Sequence, residues 1–138
     1  TTIIKARQIG NEETSPFAPA PIDEIISKIK ETKPDVVFAP HVETSAGVLM
    51  PKAYLESISK AAHEVGAIFV LDCIASGCAW VDMKATGVDI LISAPQKGRS
   101  STPSAADVIL SKRAKEVVEN TNTNSKSTRN VNTNILIR

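Results

Sequence analysis

The sequence predicts an α/β fold, with a mainly parallel sheet flanked by helices. Three observations carry this expectation. Helical patterns with one apolar face alternate along the chain with short segments rich in β-branched residues. Those short segments are continuously apolar, as parallel strands covered on both faces are. Polar residues then cluster just past their carboxyl ends, where open parallel sheets bind ligands.

The first helix follows Pro19-Ala20-Pro21. Ile22, Ile25, Ile26 and Ile29 fall at i, i+3, i+4 and i+7, which puts all four on one helical face. Pro21 suits the first turn, and Asp23 and Glu24 complement the positive end of the helix dipole. Lys33-Pro34 stops the helix, because the residue before a proline is driven out of helical geometry. Val36-Val37-Phe38-Ala39 reads as a strand buried on both faces, ended by Pro40 and His41. A second helix follows Pro51, with Tyr54, Leu55, Ile58, Ala61, Ala62 and Val65 at helical spacing and Gly66 as its C′ residue. Ala67 to Leu71 is the next buried strand and carries Asp72 at its carboxyl end. Asp89 to Ser93 is another, with Lys97 just beyond it. Val108-Ile109-Leu110 follows a short polar loop and is expected beside that strand, running antiparallel.

Composition narrows the class. With 138 residues, 42% of them hydrophobic and 22% charged, the chain can build one ordinary core without a disulfide or a metal. A formal charge of +1 calls for neither nucleic acid nor an acidic membrane surface. No apolar run is long enough to span a bilayer, and no signal peptide opens the chain. Cys73 and Cys78 have no second pair to complete a zinc site and suit a reducing intracellular compartment, such as the cytoplasm. The first residue is threonine, consistent with a processed chain or a piece of a longer one. From Asn120 to Asn134, Asn, Thr and Ser dominate. Such a stretch buries too little apolar surface to offset its chain entropy. The expected organisation is one domain over 1–118 and a disordered tail over 119–138, where Ile135-Leu136-Ile137 could pack only against further chain.

Each polar residue near the strand ends has an ordinary structural reading. Asp72 suits a cap or loop carboxylate, Lys97 a solvated loop, His41 a loop beside Pro40, and Cys73 a small buried position. What sets them apart is that all fall at one edge of one inferred sheet.

Three motifs carry a resemblance: His41-Val42-Glu43-Thr44-Ser45-Ala46-Gly47-Val48, Leu71-Asp72-Cys73-Ile74-Ala75-Ser76, and Ala94-Pro95-Gln96-Lys97-Gly98. In order and spacing they resemble the class V aminotransferases, the family of alanine–glyoxylate and serine–pyruvate aminotransferases, which is related to the cysteine desulfurases. The resemblance covers residues 1 to 118. It implies part of the large domain of a fold-type I enzyme that uses pyridoxal 5′-phosphate, working as a homodimer in its full-length form.

The resemblance also implies roles. Lys97 matches the lysine that bonds the cofactor and later moves the substrate's α-proton. Asp72 matches the carboxylate that pairs with the cofactor's pyridine nitrogen, and a negative charge there keeps that nitrogen protonated. Ile74 matches the apolar residue on the ring face, Thr44 the polar contact to the phenolic oxygen, and Gln96 the polar residue that reaches the phosphate. The implied reaction moves an amino group between a small amino acid and a 2-oxo acid such as glyoxylate or pyruvate. The family's phosphate-cradling loop, ring-stacking aromatic residue and carboxylate-binding arginine match no segment here, so a catalytically incomplete remnant is the alternative. A desulfurase or lyase is a further one, although no cysteine follows Lys97 as a desulfurase requires.

Overall fold

The computed structural model describes residues 1–120 and a strand at 135–137. Arg7–Gln8 (β1) and Phe17–Ala18 (β2) form a small antiparallel ribbon ahead of the first helix, Ile22–Thr32 (α1). Pro21 sits at the N-cap, one position before the first turn where the sequence suggested it. Lys33 closes the helix in the left-handed conformation, φ 43°, with its N–H on the Ile29 carbonyl. Val36–Pro40 (β3) follows, then a second ribbon of Val42–Glu43 (β4) and Val48–Leu49 (β5). Lys52–Glu64 (α2) leads to Ile68–Asp72 (β6), and Gly66 makes the turn between them. Its φ of 85° and its N–H bond to the His63 carbonyl are those of a C′ glycine.

Met83–Thr86 (α3) is a single turn, capped by the Asp82 carboxylate on the amides of Lys84 and Ala85. Ile90–Ser93 (β7), Asp107–Leu110 (β8), Lys112–Asn120 (α4) and Ile135–Ile137 (β9) complete the order. The main sheet runs β3-β6-β7-β8-β9. β3, β6 and β7 are parallel, and β8, reached through the connection 94–106, is antiparallel to β7 as expected. Helix α4 continues to Asn120, two residues beyond the inferred domain end. Ile135–Ile137 pairs with β8 rather than standing in a tail, and the rest of the expected disordered segment, 121–134 and 138, lies outside the described residues. Among the described residues no helix is long and apolar enough to cross a membrane.

The core lies on one face of the sheet. Ala39 on β3, Phe69 and Leu71 on β6, and Leu91 on β7 point the same way and meet Ile29 of α1 and Leu55, Ile58, Ala61 and Ala62 of α2. Val36 and Phe38 point the other way and remain 55% and 59% exposed. This corrects the expectation that β3 is buried on both faces. Its sequence is apolar throughout, but both long helices of this region pack on one side.

Two buried polar groups shape the energetics. Asp89, 2% exposed, immediately precedes β7. Its Oδ2 accepts hydrogen bonds from the Phe69 amide, from His63 Nε2 and from Arg113 Nη1, each at 2.9 Å. Ser111 Oγ lies 3.3 Å from the other oxygen, and Arg113 also donates to the Gly66 carbonyl. One carboxylate therefore joins α2, β6, the end of β8 and α4. His41, 6% exposed, is the second group, and burial lowers the pKa of its imidazole.

Two predictions follow from these groups. Asp89→Ala leaves a buried amide and the Arg113 guanidinium without their acceptor, and it costs about 3–5 kcal/mol in urea unfolding. Arg113→Met leaves the carboxylate its other partners and costs less. For His41, the unfolded chain binds a proton near the ordinary value of 6.5 and the folded chain only below it. Its contribution to stability is thus complete above 6.5 and is lost as the pH falls from there toward the folded value. The drop in urea midpoint from pH 7.5 to pH 5.5 is expected to be smaller in His41→Leu than in the parent chain.

Candidate active site

Parallel pairing puts the carboxyl ends of β3, β6 and β7 side by side. Pro40 is in register with Asp72, and Asp72 with Ile92. Each strand then releases a different loop at the same edge: His41 onward from β3, Cys73 onward from β6, and Ala94 onward from β7. This is the edge where the polar residues were expected to meet.

Asp72 ends β6 and is half-buried. Its Oδ1 accepts the Ile74 amide at 2.9 Å, a local turn that fixes the carboxylate's direction. Among the described residues no hydrogen bond or ion pair engages its Oδ2. Ile74 is half-buried in the turn that follows. Lys97 is exposed in the turn after β7, and its Nζ has no hydrogen bond or ion pair among the described residues. Gln96, beside it, is also exposed, as is Thr44 in the loop between β4 and β5. The five candidates therefore share one edge, with Asp72 and Ile74 built into the packing and Lys97, Gln96 and Thr44 facing solvent.

The surroundings add residues that single-residue reading passed over. His41, read as a loop residue, is buried, with its Nδ1 2.7 Å from Ser76 Oγ. Its N–H donates to the Asp72 carbonyl and its carbonyl accepts from the Met50 amide, both at 2.8 Å. Gly98 lies against Gly77: a Cβ at position 98 would stand 2.3 Å from the Gly77 Cα. Arg99 forms an ion pair with Asp107 at the start of β8, tying down the outer end of the Lys97 turn. Burial pushes the Cys73 thiol up, against a smaller opposing effect of the Ser76 hydroxyl, and the neighbouring Asp72 charge adds to the rise. That sulfur is a packed thiol rather than a nucleophile.

A cavity of about 650 Å³ opens on the helix-covered side of the β6 loop, lined among others by Cys73, Ile74, Trp80, Leu91 and Ile109. Neither Asp72 nor Lys97 lines it. The candidate site is defined by the ionic groups at the strand ends and not by this cavity.

Known proteins resemble this chain in sequence and fold. The chain is 30% identical over 98 residues to the alanine–glyoxylate aminotransferase of Oryctolagus cuniculus, covering 70% of this chain and 24% of that protein. It is 32% identical over 98 residues to the (S)-ureidoglycine–glyoxylate transaminase of Bacillus subtilis, covering 70% of this chain and 23% of that one. The chain thus spans about a quarter of the length of these relatives. The crystal structure of an alanine–glyoxylate aminotransferase from Nostoc sp. superimposes with a TM-score of 0.68 at 28% identity, over 75% of this chain and 27% of that one. Residues 12–134 match the family described as aminotransferase class-V, and the chain belongs to that family.

Proposed function

We propose that this chain carries the reactive core of a pyridoxal-phosphate-dependent transaminase, one that exchanges an amino group between a small amino acid and a 2-oxo acid such as glyoxylate or pyruvate. The observation that carries the reading is the pair of uncommitted groups, Asp72 and Lys97, following adjacent parallel strands of a class V aminotransferase sheet.

The residues at this edge fit the cofactor chemically. A pyridinium N–H needs an anionic acceptor, and Asp72 offers Oδ2 while the Ile74 amide holds Oδ1. A carbonyl carbon needs an amine, and Lys97 presents one that no neighbouring acid occupies among the described residues. Ile74 offers an apolar surface for one ring face. Gln96 and Thr44 are the polar groups for the phosphate and the phenolic oxygen. Bound pyridoxal phosphate supplies an electron sink for the pair left on the substrate's α-carbon. Asp72 keeps a proton on the pyridine nitrogen throughout. Lys97 Nζ would hold the cofactor and would serve as the base that takes the substrate's α-proton and gives it back.

The further assignments belong to the same reading. Residues 1–118 are the cofactor-binding unit, the full-length form is a homodimer, and the two free cysteines fit a reducing compartment such as the cytoplasm. The solvent exposure of Thr44, Gln96 and Lys97 favours a second reading of the 138-residue chain alone: cofactor capture without turnover, since transaminase chemistry proceeds in a site closed to water.

Incubation with pyridoxal phosphate followed by borohydride is expected to fix the cofactor on Lys97, identified by peptide mass spectrometry. Lys97→Ala removes that adduct, and adduct formation on other lysines only would overturn the assignment. Asp72→Asn deletes a charge-assisted hydrogen bond and weakens cofactor binding about tenfold or more, read from the concentration dependence of fixing. Alanine–glyoxylate exchange by the parent chain separates the two readings. Fixing with exchange supports the transaminase, and fixing without it supports capture alone.

A further inference from the structure

We propose that Ser76 and Gly77, held by His41 on one side and by Gly98 on the other, form the positioning element that sets Lys97 against Asp72. This rests on the roles proposed above for those two residues.

The sheet ladder cannot do this alone. It fixes Asp72 opposite Ile92, but Lys97 lies five residues farther on, in a turn with little of its own to hold it. The Lys97 amide reaches the Ala94 carbonyl at a long 3.4 Å, and the turn is otherwise closed by Ser100 on Lys97 and Ser101 on Pro95 at 3.1 and 3.0 Å. The tighter constraint comes from across the gap. A Cβ on Gly98 would meet the Cα, carbonyl carbon and oxygen of Gly77 at 2.3, 2.7 and 2.8 Å. This is backbone against backbone, with no flexible side chain to yield. Gly77 itself has φ 58°, a conformation that disfavours any side chain there. The β6 loop and the β7 loop can approach this closely only because residue 98 is glycine; a Cβ at Gly77 would meet nothing within 4 Å, and glycine serves there for its φ.

On its other side the β6 loop is fastened to β3. Ser76 Oγ lies 2.7 Å from His41 Nδ1, and the His41 main chain is bonded to Asp72 on one side and to Met50 on the other. A closed circuit results: Asp72 carbonyl, His41, Ser76, Gly77, Gly98, Lys97. It returns through the β7–β6 ladder to Asp72. His41 touches neither the cofactor's proposed carboxylate nor its lysine, and so acts as a positioning residue.

The test uses the 138-residue chain with amide hydrogen exchange and borohydride fixing as separate readouts. His41→Leu and Ser76→Ala are expected to speed exchange of the Ile74 amide, the one bonded to Asp72, about tenfold, as for loss of one hydrogen bond. The double variant adds nothing further, and His41→Asn, which keeps a hydrogen-bonding atom near the Nδ1 position, restores slow exchange. Gly98→Ala speeds exchange at Lys97 and lowers cofactor fixing about tenfold. In all of them the core amide of Phe69 exchanges as in the parent. Parent-like rates at Ile74 and Lys97, or acceleration at Phe69 equal to that at Ile74, would overturn the positioning role. A parent chain that exchanges as expected but fixes no cofactor overturns the proposed function instead, and leaves the linkage of the three loops standing.

Discussion

The Asp89 carboxylate is the constraint on which the remaining geometry depends. It binds the Phe69 amide through its side chain, while its own amide binds the Phe69 carbonyl at 3.0 Å. The first rung between β6 and β7 is therefore set by a side chain as well as by the ladder. A slip of one residue would turn every side chain of a strand to the opposite face. Here it would also strip a buried charge of its partners. With that rung fixed, Asp72 must fall beside Ile92 at the far end, three residues beyond Phe69. Register at one edge of the sheet thus decides what stands together at the other.

The two edges differ in kind. At the amino edge the polar groups of the Asp89 cluster have partners, and the cluster draws in His63 from α2 and Ser111 and Arg113 from the start of α4. At the carboxyl edge the backbone is tied as firmly, by His41 to Asp72 and Cys73 to Ile92, both at 2.8 Å. The side chains there are left with capacity to spare. Polar side chains with partners sit at one end of the strands, and the residues of the proposed site sit at the other. Changes to loops at the carboxyl edge can therefore alter chemistry without loosening the register that supports it.

Much of this was legible from residue patterns, because the patterns report local physics. Ile22, Ile25, Ile26 and Ile29 mark the buried face of α1, and Gly66 marks the turn that ends α2. The apolar run Val108-Ile109-Leu110 marks β8, which pairs antiparallel with β7. Asp72 and Lys97 could be placed at one edge because strand order and strand direction follow from alternation. The two short ribbons and the single turn of α3 have too few residues to impose a period. The His41–Ser76 bond joins positions 35 apart, and the Gly77–Gly98 approach joins two loops, so neither leaves a mark in any window of sequence. The apolar run of β3 misled in a different way. It records a strand suited to cover on both faces, whereas the described helices α1 and α2 cover one.

The charge arrangement at the carboxyl edge follows from burial. Desolvation disfavours the charged form of any group. It lowers the imidazole of His41 and raises the thiol of Cys73, so both are neutral at pH 7 although they flank Asp72 in the fold. His41 then cannot compete as a cation for the aspartate, and Cys73 adds no second anion beside it. The other charges nearby are engaged locally: Glu43 accepts the amide and hydroxyl of Ser45, and Arg99 pairs with Asp107. Among the described residues, Asp72 Oδ2 on β6 and the Lys97 ammonium beyond β7 have no such partner. Two opposite charges held apart on neighbouring loops, rather than joined to each other, suit a ligand that needs an anion at one end and an amine at another. A packed histidine and a packed thiol are as necessary to that pattern as the two residues that display it.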